Sequence, residues 1–200
     1  MPQPHAAAAS GERERVRGVP ILPCVWRAAI FAIAGLLLCV RSLQTFTDPE
    51  FTDPVSISDW FAVLSFSAAL LVLALALPMF AQLVGGPAVF RVALVPAVGA
   101  ALAGLGNLLE DALQLGFAFW LFIVGTTITL IGLVSLSIAV AVVGRGRRRL
   151  LAAVPAATLI GMLLFESGGG VLILAAWLAA AAVALGGRVH AAAQTAPTRP

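Results

Sequence analysis

Gly106-Asn107-Leu108-Leu109-Glu110-Asp111-Ala112-Leu113-Gln114 is a short polar interruption between two long apolar runs. Asn107, Glu110, Asp111 and Gln114 stand at i, i+3, i+4 and i+7, a spacing that gathers side chains on one face of a helix. A continuing helix would therefore carry one polar stripe. On either side the chain is nearly free of charge over the length a membrane crossing needs, about 20 residues for about 30 Å of hydrocarbon. The stretch reads as the junction between two membrane segments, and the fold class follows: all-α, a polytopic membrane protein.

Composition supports that class. Of 200 residues, 61% are hydrophobic and only 10% charged, and the mean hydropathy is +1.05. Water-soluble domains carry about 25% charged residues. All 12 basic residues are Arg, with no Lys and no Tyr. With abundant Ala, Gly and Val, that usage resembles translation from a GC-rich bacterial genome, so a bacterial cytoplasmic membrane is expected. The basic residues flank apolar runs, which points to anionic lipid headgroups as partner and not to nucleic acid.

Working outward from the junction, the third helix is expected over 91–109 and the fourth over 114–143. The apolar run 112–143 would extend about 48 Å as a helix, so it either tilts or begins outside the bilayer. Trp120, with Phe117, Phe119 and Phe122, would mark its interface. Gly144-Arg145-Gly146-Arg147-Arg148-Arg149 follows, the strongest topological signal in the chain. Helices five and six are expected over 150–166 and 170–187, separated by Ser167-Gly168-Gly169-Gly170. Toward the N-terminus, helix two is expected over 60–84 with Asp59 as its cap, and helix one over 22–41. Residues 1–20 read as a disordered arm and 188–200 as a short polar tail. The loop between helices one and two repeats Phe-Thr-Asp-Pro at 46–49 and 51–54, a turn-forming pattern.

Six helices place the charges consistently. The N-terminal arm, where Glu12 and Glu14 are outnumbered by Arg13, Arg15 and Arg17, with 85–91, 144–149 and the tail, carries Arg; the acidic segments are 48–59, Glu110-Asp111 and Glu166. Only Arg41 breaks the pattern. The tendency of arginine-bearing loops to stay inside then puts both termini in the cytoplasm.

The chemistry-bearing residues are few. Asn107, Glu110, Asp111 and Gln114, joined by Glu166, form a candidate ion- or substrate-binding set, because carboxylates at membrane depth are costly and tend to serve a function. The alternative is that the helix end leaves the bilayer and the stripe faces headgroups. Arg145, Arg147, Arg148 and Arg149 are candidate headgroup contacts and topology determinants. Hydroxyls at Thr126, Thr127, Thr129, Ser135 and Ser137, with Ser65 and Ser67, could line a pore or bond back to their own helices. Cys24 and Cys39 lie on one helix, too far apart to bridge. No metal-ligand spacing, catalytic motif or cofactor motif is present. Small-residue faces at 99–106, and at Ala176, Ala180 and Ala184, would admit a close neighbour, so a homo-oligomer or a membrane-protein partner is expected. The function that follows is a structural, accessory or interaction role; the alternative is a small transporter or channel using Glu110 and Asp111.

Overall fold

The computed structural model describes residues 24–47 and 57–195, with the backbone alone at Ser58, Arg147 and 187–195. The N-terminal arm, most of the Phe-Thr-Asp-Pro repeat and the end of the C-terminal tail lie outside the described residues. Six α-helices follow: α1 Cys24–Thr47, α2 Ile57–Val84, α3 Pro87–Asn107, α4 Ala118–Val143, α5 Ala153–Leu163 and α6 Gly170–Thr195. Strands are absent among the described residues.

The helices pack in chain order. Each lies against the next, and α6 returns to α1, so the bundle closes into a ring. The most extensive contacts are α3 on α4 and α1 on α6. Phe31 of α1, Phe80 of α2 and Trp177 of α6 meet at the core between these elements, with ring centroids 5.4 and 5.9 Å from the indole. The outer surface is apolar as well. In α4, Leu133 and Leu136 are fully buried while Ile131 and Ile138 are about 60% exposed. A helix greasy on both faces is stable only where its outside meets something other than water.

Four helices are long and apolar enough to cross a membrane: Cys24–Thr47, Asp59–Val84, Pro87–Ala112 and Ala118–Val143. The expectation of six spans is therefore met only in part. α5 holds 11 residues, about 16 Å of helix, or half a hydrocarbon core. It is preceded by a 3₁₀ segment, Gly146–Ala152, and followed by another at Phe165–Ser167. The expected single helix over 150–166 is thus three pieces. The apolar part of α6 runs from Gly170 to Gly186.

Several boundaries move. α1 continues past 41 to Thr47. α2 begins at Ile57, so Asp59 lies inside its first turn and is not the residue before it. α3 begins at Pro87, which needs no intrahelical N–H at a first position. Gly85 and Gly86 ahead of it sit at φ +92° and +94°, a region side chains disfavour, and make the tight reversal from α2. α4 begins only at Ala118, which shortens the long fourth run to 26 residues. That is about 39 Å, and the excess length is absorbed by the turn before it.

The small-residue faces are spent inside the chain. A Cβ on Gly99 would stand 2.6 Å from the Thr129 amide nitrogen, and one on Gly132 would stand 2.6 Å from Pro96. Gly106 abuts Phe122, and Gly125 abuts Ala103, backbone to backbone. Gly104 faces α2 through the Ser67 carbonyl. Ala180 and Ala184 are buried, and Gly35 of α1 lies against Trp177 and Leu174 of α6. Close approach is realised as expected, but between helices of one chain.

Candidate functional site

The acidic end of the bundle is built where α3 stops. After Asn107 the chain widens into a π-helical turn, Leu108–Ala112. Adding a residue per turn rotates everything downstream relative to an α-helix, so the i, i+3, i+4, i+7 spacing no longer maps to one face. Leu113 ends the helix, and Gln114 adopts φ +54°. Its amide donates to the Asp111 carbonyl at 3.0 Å and its side chain is exposed. The single polar stripe expected from the spacing is thereby divided into three environments.

Asn107 points inward. It is buried, and its Nδ2 donates to Ser67 Oγ of α2 at 3.0 Å. Glu110 and Asp111 are half-buried at the rim. Their two negative charges act on each other, and the Asp111 carboxylate acts favourably on the Arg41 guanidinium. Arg41 in turn lies 5.7 Å over the Phe66 ring, a cation–π arrangement. Arg41, the exception in the charge pattern, is thus accounted for: it sits at the acidic end because a carboxylate and an aromatic face receive it. Glu166 is exposed on the 3₁₀ turn between α5 and α6.

Sequence reasoning missed Ser42, Phe66, the pairing of Ser67 with Asn107 and the role of Arg41. Ser42 is fully buried; its hydroxyl donates to the Phe165 carbonyl at 2.6 Å and accepts from the Gly170 amide at 3.0 Å. That one hydroxyl ties the end of α1 to both sides of the α5–α6 turn. A lone serine gives no spacing signal. Arg41 did give one, as a cation among acids that calls for an acidic partner.

Beneath the rim lies a cavity of about 190 Å³, bounded by Phe66, Leu70, Phe122, Thr129, Met162 and Phe165 among others. Its walls are almost wholly apolar. Phe66 packs on Phe122 and Phe165 at 6.1 and 5.6 Å between centroids. Phe122, expected at the interface, therefore turns inward, while Phe117, Phe119 and Trp120 remain exposed. Most of the hydroxyl row bonds back to its own helix: Thr127, Thr129, Ser135 and Ser137 each donate to the carbonyl four residues earlier, and Ser65 to Ala62, whereas Thr126 lines the cavity and Ser67 accepts from Asn107. No group of three or more His, Cys, Asp or Glu side chains suited to a metal ion occurs among the described residues.

At the opposite end, Arg27 donates to Gln82 at 2.9 Å, Arg148 to the Val84 carbonyl at 3.1 Å, and Arg149 Nε to the Gly144 carbonyl at 2.9 Å. Cations at helix C-termini satisfy carbonyls that have no intrahelical donor. Arg145 is exposed, and the Arg147 side chain lies outside the described residues. The two charged sets thus occupy opposite ends of the bundle, and each holds helices together. No protein-family model, curated protein or solved structure matches this chain, so a role is argued from its own geometry.

Proposed function

We propose that the chain is a six-pass protein of a bacterial cytoplasmic membrane with a structural or accessory role, exerted through contacts and not through catalysis or transport. Both termini and the arginine end face the cytoplasm, and the acidic end faces outward. One observation carries the reading. Several polar groups at the acidic end are engaged between helices: Asn107 bonds to Ser67, Ser42 bonds to Phe165 and Gly170, and Arg41 feels the Asp111 charge. The cavity beneath them is apolar. A route for ions or protons needs polar groups aligned along a passage, and here they serve as fasteners.

The test is flux. Purified protein reconstituted in liposomes is expected to move protons, Na⁺ and K⁺ no faster than empty vesicles. A flux above that background, lost in the double variant Glu110→Gln with Asp111→Asn, would replace this reading with a transporter that uses those carboxylates. Orientation is tested separately: a cysteine placed at Arg145 should resist an impermeant maleimide added outside cells, and labelling there would invert the topology.

A further inference from the structure

The surface between α5 and α6 holds a groove of about 560 Å³, three times the volume of the cavity beside Phe66. Five alanines line it, Ala157, Ala175, Ala176 and Ala179 among them, together with larger apolar side chains such as the buried Leu151 and Val154. Arg148 is the one charged residue that lines it. The helices are tied at Gly161, which abuts Gly169 and Ile173, and the groove opens from there toward the arginine end.

We propose that this groove is a binding site for one acyl chain of an anionic phospholipid whose phosphate sits on Arg148. Three features select that occupant. First, length: from Val183 to Leu172 the groove follows α6 for about 16 Å, the hydrocarbon depth of a single leaflet. Second, charge: Arg148 lines the groove at its arginine-end mouth, with Arg145 and Arg149 close by in sequence, whereas Asp59, Glu110, Asp111 and Glu166 belong to the other half of the sequence pattern, at the acidic end. Arg148 spends one donor on the Val84 carbonyl, and a guanidinium has five. Third, lining: alanine walls leave room for a flexible chain and offer no hydrogen bond to hold a polar ligand. A second copy of this chain laid parallel in the groove would bring arginine against arginine. The proposal needs only that the chain lies in a bilayer, and it stands whichever side the arginine end faces.

The experiment uses the full chain in phosphatidylcholine vesicles doped with a photoactivatable lipid that carries its reactive group on the acyl tail. One series uses a phosphatidylglycerol probe, the other a phosphatidylcholine probe. Labelling above that of the other exposed helix faces is expected within 150–157 and 172–183, with the anionic probe favoured there about fivefold, the preference one arginine near a headgroup confers. Arg148→Gln should remove most of that preference, and Arg148→Lys should retain most of it. Ala179→Trp, which fills the groove from an exposed position, should suppress labelling by both probes. Because Arg148→Gln also removes a cap from α2, the Ala179→Trp result decides the matter if that variant does not fold. Equal labelling by the two probes, labelling there no higher than on the other exposed helix faces, labelling unchanged in Ala179→Trp, or crosslinks between copies through Ala175 and Ala179 would each overturn the site.

Discussion

The α3–α4 seam and the α5–α6 seam are both antiparallel, both rich in glycine and alanine, and end in opposite states. Along α3–α4, glycines fall on both partners in register: Gly99 against Thr129, Gly106 against Phe122, Gly125 against Ala103, Gly132 against Pro96. The backbones meet along most of the helix length. Along α5–α6 the backbones meet only near Gly161 and Gly169, and the alanines beyond face one another across open space. Small residues do not by themselves make a tight interface. They permit close approach where both helices carry them at the same level, and they leave volume where the backbones diverge.

That contrast can be broken at graded cost. The largest effect is expected from Gly125→Leu, because a Cβ there meets the Ala103 main chain, which no rotamer change relieves. A loss of about 3 kcal/mol, the upper range for overpacking, should appear as unfolding at lower denaturant in detergent micelles. Gly161→Val should cost about half as much, about 1.5 kcal/mol. Its nearest neighbour is the Ile173 side chain, which can yield, although the Gly169 carbonyl cannot. Equal losses at the two positions would mean that the seams are alike and the comparison is wrong.

Smaller effects sharpen it. Asn107→Ala removes the α2–α3 hydrogen bond, and a double-mutant cycle with Ser67→Ala should report a coupling of about 0.6 kcal/mol, the usual value between membrane helices. A cycle near zero would show that the two side chains do not act as a pair. The smallest effect belongs to the open seam. Ala157→Leu adds bulk into the groove and should change stability by less than about 0.5 kcal/mol, since space is already there. A destabilisation matching Gly161→Val would show the groove to be closed.

Much of the fold was legible because hydropathy is additive along the chain. The helical runs and the segregation of arginine from acid depend on which residues are present, not on how they pack. A reversal at Gly85-Gly86-Pro87 has a purely local cause, since only glycine takes those dihedrals readily. The candidate site was legible in its members and not in its geometry. Asn107, Glu110, Asp111 and Gln114 sit at helical spacing, but the π turn that follows the inward-facing Asn107 adds a residue to the ladder, and Gln114 beyond it lies outward. Ser42 joins residues more than a hundred positions away, a pairing no local window contains.

By itself the amino-acid order determined that this is an apolar helical chain with its cations and anions sorted to opposite ends, because transfer from water to lipid depends on the residues of each segment alone. The tertiary structure decided the rest: that α6 returns to α1 and closes the ring, that glycine faces are consumed within one chain, that Arg41 comes under the Asp111 charge, and that a groove stays open between α5 and α6. Those outcomes depend on how far apart two backbones can be brought, a distance set by pairs of side chains remote in the chain.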